Sequence, residues 1–326
     1  MSVRVQFLLH ERCAAIISVA MIQTRNLTRK YGSMTAVGNV NLHVPASTIF
    51  GFIGPNGAGK TTTLRMLATL LRPTAGDIVI DGVSAIDDPI AVRQRIGYLS
   101  DNFGLYDDLM VWEYLDYFCG AYHFPTNLER LDVILDTVKL THKRDELVGR
   151  LSRGMRQRLA IARMLVYEPK VILLDEPANG LDPMSRISLR DLLKSLRDRG
   201  TTIIVSSHIL TELSDMCDTV GIMELGELVV AGSIDTILAQ TRTHFHLVLE
   251  VLGPPEKAVE VLQDEPKISD VRIESGKVVM GFSGDRGDLP SLHRKLVLAD
   301  VPVVAFFPKA ENLEDLFMRL STGATN

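Results

Sequence analysis

The chain has 326 residues, of which 46% are hydrophobic and 23% charged, and its formal net charge is −5. That length and balance suit a globular protein of two domains, or of one large domain with an appendage, and they offer no basic field for nucleic acid. The cysteines Cys13, Cys119 and Cys217 are scattered without metal-ligand spacing, so neither disulfides nor a zinc site is expected and a reducing compartment fits.

Near the start, the apolar run from Ala14 to Ile22 is too short to cross a bilayer. Glu11 and Arg12 break the segment before it, which argues against a signal peptide. Residues 1–20 read either as a dispensable extension or as a short helix on the surface. Met21-Ile22-Gln23-Thr24-Arg25-Asn26-Leu27 reads as an opening edge strand, and Lys30-Tyr31-Gly32 follows it.

Thr48-Ile49-Phe50-Gly51-Phe52-Ile53 reads as a buried strand, and Thr62 to Leu71 as a helix with apolar residues at helical spacing. Between them lies Gly54-Pro55-Asn56-Gly57-Ala58-Gly59-Lys60-Thr61-Thr62, which fits G-x-x-x-x-G-K-[ST], the P-loop. Chance would supply such a match in roughly one chain in a hundred of this size. The context of strand, glycine-rich turn and helix is the one the motif requires. Its glycines let backbone N–H groups cradle phosphates at a helix N-terminus. In that role Lys60 reaches the β- and γ-phosphates and the Thr61 hydroxyl ligates Mg²⁺. The P-loop alone says only that a nucleoside triphosphate binds.

Next comes an apolar strand, Ile96-Gly97-Tyr98-Leu99-Ser100, followed by Asp101. Phe103, Tyr106, Trp112, Tyr114, Tyr117, Phe118, Tyr122 and Phe124 crowd the span that follows, with Tyr114, Tyr117, Phe118 and Ala121 at helical spacing. They read as the core of a small helical subdomain at about residues 101–150, with any exposed members near Phe103–Tyr106 open to a partner. In Leu151-Ser152-Arg153-Gly154-Met155, Ser152 is placed to N-cap a helix carrying Leu159, Ile161, Ala162 and Leu165.

Lys170 opens a continuous apolar run, Val171 to Leu174, as in a parallel strand buried on both faces, and it ends in Asp175 and Glu176. Open α/β sheets bind ligands at the carboxyl ends of their strands. Asp175 is therefore placed to hold Mg²⁺, and Glu176 to orient or deprotonate an attacking water. A further strand, Thr202-Ile203-Ile204-Val205, leads to His208. Beyond residue 240 the pattern changes. Strand-like 244–251, helix-like 255–263, strand-like 268–274 and 277–283, helix-like 288–298 and strand-like 301–307 give a β-α-β-β-α-β, ferredoxin-like outline. An amphipathic helix at 310–320 closes the chain.

Taken together, these segments resemble the nucleotide-binding subunit of an ATP-binding cassette (ABC) transporter. Residues 151–155 are similar to the family's LSGGQ signature, Asn179-Gly180-Leu181-Asp182 to its D-loop, His208 to its switch histidine and Tyr31 to its adenine-stacking aromatic. The resemblance implies an α/β P-loop ATPase core with antiparallel β and helical subdomains over residues 21–240. It also implies a C-terminal accessory domain over 241–326, of the kind found in ATPases serving ABC-2-type exporters. The cofactors implied are ATP and Mg²⁺. The nucleotide lies against Tyr31, the P-loop from Gly54 to Thr62, Asp101 and Asp182; Ser152 and Gly154 of a second, head-to-tail copy hold its γ-phosphate. Lys60, Glu176 and His208 carry catalysis, and Thr61, Asp175 and Asp101 hold the metal. The partners implied are a second ATP-binding subunit, with a homodimer expected, and a separate transmembrane permease, which keeps the chain on the cytoplasmic face of the membrane; nucleic acid is not expected.

Two departures from the family pattern stand out. Asp101 occupies the Q-loop position where glutamine is usual. Arg153 and Met155 replace a glycine and a glutamine of the signature; Arg153 either adds charge near the phosphates or faces solvent, and solvent is the expectation. The alternative reading is a soluble ABC ATPase acting on DNA or ribosomes, against which stand the net acidity, the single cassette and the lack of a long coiled coil.

Overall fold

The computed structural model describes residues 20–125, 127–209, 213–234, 236–237, 245–284 and 286–308. The closing helix expected at 310–320 and the expected extension at 1–20, apart from Ala20, lie outside the described residues. By contacts the chain divides into two compact units. One holds the described residues up to Phe50, Asn56–Ser206 and Leu225–Glu227; the other holds Gly51–Pro55, Ser207–Glu224 and the described residues from Leu228 on.

Strands β1 (Ala20–Tyr31) and β2 (Met34–Pro45) form a long antiparallel hairpin. The fully buried β3 (Ile49–Ile53) leads to α1 (Lys60–Leu67). β4 (Ala75–Ile80) and β5 (Val83–Ser84) complete a four-stranded sheet of order β2-β1-β4-β5. β1 is therefore an inner strand and not the edge strand expected: Ile22 pairs with Val44 on one side and with Ile80 on the other. One buried face reads the same in an inner and an outer antiparallel strand, so the pattern could not separate them.

Helix α1 also ends earlier than its apolar spacing suggested. Thr69 turns left-handed at φ 58°, and the Leu70 and Leu71 N–H groups fold back to donate to the Arg65 carbonyl at 2.9 and 3.1 Å. That closure satisfies a terminal carbonyl and leaves Leu70 exposed.

The chain continues through α2 (Pro89–Arg93), β6 (Ile96–Leu99), α3 (Val111–Ala121), α4 (Leu128–Thr137) and α5 (Arg153–Leu165). Then follow β7 (Val171–Leu174), α6 (Pro183–Asp198), β8 (Thr202–Ser207), β9 (Thr219–Glu224) and β10 (Glu227–Ser233). The second sheet has the order β10-β9-β3-β8-β7-β6. β6, β7 and β8 run parallel in matched register, with Leu99, Leu174 and Val205 side by side at their carboxyl ends. Every residue of β7 and β8 is buried, as a parallel strand covered on both faces requires.

Helix α5 holds the helical region through its arginines. Arg156 pairs with Asp107 at 2.6 Å, Arg158 donates to the Val138 carbonyl beyond the end of α4 at 2.9 Å, and Arg163 reaches the Tyr114 hydroxyl at 3.2 Å. The Arg158 guanidinium caps a helix end whose carbonyls lack intrahelical partners. Between them, Leu159, Ile161 and Ala162 are buried.

A third sheet is built from β11 (Phe245–Val251), β12 (Ile268–Glu274), β13 (Lys277–Phe282) and β14 (Val303–Pro308), in the order β12-β13-β11-β14 with antiparallel neighbours. Helix α7 (Glu256–Gln263) joins β11 to β12, and α8 (Leu289–Leu298) joins β13 to β14. The β12–β13 hairpin turns at Ser275 and Gly276, both at positive φ, the geometry that matches strand twist in a two-residue loop. This is the ferredoxin-like β-α-β-β-α-β arrangement. Leu247, Leu249, Val278, Met280 and Phe282 pack against Ala258, Leu262, Leu292 and Leu296 in one core. Replacing the fully buried Leu249 with alanine should destabilise this sheet by about 2–5 kcal/mol. Urea denaturation followed by hydrogen exchange in β11 and β13 measures the loss; a change below about 0.5 kcal/mol would contradict this packing.

Candidate functional site

The turn after β3 takes its shape from backbone angles. Gly57 and Gly59 sit at φ 84° and 100°, where a side chain is strained. A Cβ at Gly57 would meet nothing within 4 Å, so the angle and not crowding demands glycine there. Gly59 caps α1, and its carbonyl accepts from both the Thr63 N–H and the Thr63 hydroxyl, each at 2.9 Å. The first turn of α1 carries no acid of its own, so the positive end of the helix dipole is directed at the turn, the arrangement that attracts an anion.

Parallel register brings the ends of β7 and β8 beside the start of α1. The Thr61 hydroxyl donates to Asp175 Oδ1 at 3.1 Å and the Ser206 hydroxyl donates to the same oxygen at 2.7 Å. Asp175 is only 1% exposed, and its Oδ2, also buried, has no hydrogen-bond partner. Burial raises the Asp175 pKa; the Ser206 and Thr61 hydroxyls oppose the rise, and the charges of Asp101 and Glu176 add to it. A buried carboxylate with one oxygen unpaired is costly unless a cation or its water completes it. The donors gathered here are all oxygens, a hydroxyl and carboxylates, as a hard divalent cation prefers. No group of three or more His, Cys, Asp or Glu forms a metal cluster among the described residues.

Ser206 also accepts from the Glu176 N–H at 2.9 Å, so one buried hydroxyl holds both acids at the end of β7. Glu176 adopts φ 49°, and its Oε1 lies 3.5 Å from Lys60 Nζ in a largely buried ion pair. Lys60, Thr61, Asp175 and Glu176 are thus brought together as the motifs required. Ser206 is the member the sequence reading missed. Its signal was faint: a hydroxyl at the carboxyl end of an apolar strand.

A second cluster forms where α5 and α6 begin. The Ser152 hydroxyl caps α5, accepting from the Met155 N–H at 3.4 Å, and Gly154 is buried. Asp182 caps α6: Oδ1 accepts from the Ser185 N–H at 3.0 Å and Oδ2 from the Ser185 hydroxyl at 2.6 Å. Those bonds lower the Asp182 pKa. Arg153 is exposed as expected, but it is not adrift in solvent: Nη2 donates to the Asn179 carbonyl at 2.9 Å. Of the remaining candidates, Tyr31 is half exposed with the Arg29 guanidinium 4.6 Å from its ring centroid. Gly54 and Pro55 follow β3, Asn56, Ala58 and Thr62 complete the turn and the start of α1, and exposed Asp101 and His208 follow β6 and β8.

A sheet in which β3 leads into a P-loop helix and β7, two strands away with β8 between, ends in an acidic pair is the architecture of a nucleoside-triphosphate-hydrolysing cassette. Comparison with known proteins narrows the class. The ABC transporter family matches residues 37–179. The bacitracin transport ATP-binding protein of Bacillus licheniformis is 35% identical over 307 residues, covering 94% of this chain and 98% of that protein. The Nod factor export ATP-binding protein I of Burkholderia orbicola (strain AU 1054) is 34% identical over 308 residues, covering 94% and 98%. Among solved structures, cbiO1 from Clostridium perfringens, part of an ABC transporter complex, is 28% identical with a TM-score of 0.62, covering 68% of this chain and 91% of that one. A bacterial ABC transporter cassette solved as a dimer is 28% identical with a TM-score of 0.59, covering 66% and 99%. The chain belongs to the ATP-binding subunits of ABC transporters, and it binds and hydrolyses ATP. The alternative of a soluble ATPase acting on DNA or ribosomes is not favoured by these relatives.

Ser206→Ala should lower kcat about tenfold, because it leaves the Glu176 N–H and an Asp175 oxygen without their shared partner. Steady-state ATP hydrolysis across a Mg²⁺ titration measures this; a kcat within about twofold of the parent would show that the hydroxyl does not organise the site.

Proposed function

We propose that the chain powers a separate membrane permease in the direction of export, working as a head-to-tail homodimer with ATP and Mg²⁺ held between the copies. The observation that carries the metal and nucleotide reading is the buried, unpartnered Oδ2 of Asp175, whose Oδ1 accepts from the Thr61 hydroxyl and whose neighbour Glu176 pairs with Lys60. Export and the permease are supported by the relatives, whose names are those of transport and export ATP-binding proteins. No helix among the described residues is long and apolar enough to cross a membrane. On this reading residues 21–240 are the ATP-binding domain, with the helical subdomain at about 101–150, and 241–326 an accessory domain that steadies or regulates the dimer. The subunit sits at the cytoplasmic face, held there by its permease.

Each side chain has a defined task. Tyr31 offers its ring to the adenine. The P-loop N–H groups and Lys60 bind the β- and γ-phosphates. Thr61 and Asp175, with Asp101 near by, would hold Mg²⁺, which neutralises phosphate charge when bound. Glu176 takes a proton from, or aligns, the attacking water, and His208 steadies that water or the γ-phosphate. Ser152 and Gly154 of the second copy contribute a helix N-terminus to the same phosphate, and Asp182 shapes the segment beside it.

The coupling surface is read from the aromatic patch. Tyr114 is fully buried, whereas Tyr106, Tyr117 and Tyr122 are each about half exposed. Tyr106 packs edge-on to Tyr117 at 5.4 Å and stacks with Phe118 at 6.3 Å. The buried rings hold the subdomain together, and the exposed ones present a rigid apolar shelf of the kind a permease segment can dock on.

Two outcomes test this. Glu176→Gln should hydrolyse ATP at least about a hundredfold more slowly and accumulate an ATP-bound dimer on size exclusion; a monomer at saturating Mg·ATP would overturn the shared site. Tyr106→Asp should leave ATP affinity within about twofold but abolish stimulation of the ATPase by the copurified permease; full stimulation would remove the patch from the coupling surface.

A further inference from the structure

We propose that Arg153 is a positioning residue that ties the signature segment to the turn carrying Glu176 within one chain. The inference rests on the reading of Glu176 as the group that activates water. Arg153 is the first residue of α5, directly after the Ser152 cap. Its guanidinium donates to the Asn179 carbonyl at 2.9 Å and lies against Gly180. A Cβ on Gly180 would sit 2.5–2.7 Å from the guanidinium carbon and both terminal nitrogens. Gly180 also has φ 69°, so its lack of a side chain serves both the turn and the seat of the guanidinium.

The tie continues to the acid. The Asn179 N–H donates to the Glu176 carbonyl at 3.1 Å, closing the turn from Glu176 to Asn179. Glu176 sits at φ 49°, in the left-handed region that non-glycine residues adopt infrequently. Ser206 fixes that backbone from one side through the Glu176 N–H, and Arg153 fixes the far end of the turn. A second contact joins the signature segment to the start of α6, which follows the turn. A Cβ on Gly154 would lie 2.3 Å from the Ser185 hydroxyl, which Asp182 already holds. The first turns of α5 and α6 thus meet with no room between them.

The consequence concerns geometry that the usual signature glycine has no side chain to supply. With arginine, the segment that would meet the phosphate of one site is bonded to the backbone that aims the acid of the other. A shift of α5 on engaging phosphate is passed to Asn179 and so to Glu176. The guanidinium is used inside the chain, which argues against its acting as a phosphate ligand.

The test uses the full chain with Arg153→Met, which keeps length but loses the donors, and Arg153→Lys, which restores one. ATP hydrolysis is measured beside hydrogen exchange of residues 177–182. Arg153→Met should lower kcat about 5- to 20-fold, equivalent to about 1–1.8 kcal/mol, with KM for ATP within about twofold and the melting temperature within about 2 °C. Exchange at the Asn179 N–H should quicken by about tenfold or more, and Arg153→Lys should recover at least about a third of kcat. Unchanged exchange overturns the proposal, as does faster exchange with kcat unchanged. A rise in KM with kcat retained overturns it in favour of a phosphate contact. The exchange readout does not depend on the role of Glu176, so failure of that role is seen separately, as retained hydrolysis in Glu176→Gln.

Discussion

The site is organised around one buried carboxyl group. Asp175 stands at the carboxyl end of a strand with no exposed residue, where a carboxylate is expensive unless its oxygens are paired. Two hydroxyls share one oxygen and the other has no protein partner. The surrounding architecture follows from meeting that demand. The parallel register of β6, β7 and β8 sets three strand ends side by side, the first residues of α1 supply a lysine and a hydroxyl, and Ser206 bridges the two acids.

A second constraint is the joining of α5 to α6. The arginines of α5 reach Asp107, the Val138 carbonyl, Tyr114 and Asn179, so this one helix braces both the aromatic subdomain and the turn after Glu176. The half-exposed rings of Tyr106, Tyr117 and Tyr122, proposed above as a docking surface, are therefore joined through packed helices to the turn after Glu176. Coupling of this kind needs contiguous, rigid contacts, and arginine hydrogen bonds to backbone carbonyls provide them.

Much of this was legible in the sequence, for reasons that differ by residue. The P-loop could be read in part because Gly59, a fixed letter of the motif, sits at a backbone angle that other residues resist; Gly57, at one of its variable positions, does the same. The run from Val171 to Leu174 could be read because burial on both faces erases alternation. The C-terminal strands and helices followed from their periods. Ser206 was not legible, since its role arises from register with a strand about thirty residues away, and a lone serine carries no local signal. The end of α1 was missed because a carbonyl-capping turn at Thr69 outweighs apolar spacing. Arg153 was taken for a solvated side chain because its partner, Asn179, is brought near only by the packing of α5 on α6.

The central claim is that Gly54–Thr62 forms half a site, completed by Ser152 and Gly154 of another copy. Mixing two inactive chains tests it most directly: one carries Lys60→Ala, the other Ser152→Asp, which keeps the helix cap but repels phosphate. In a head-to-tail pair both defects fall in one site and the other site is intact, so the mixture should hydrolyse ATP well above either chain alone. No recovery on mixing, with both chains folded and paired, would mean that each copy builds its site from its own residues and would contradict the account.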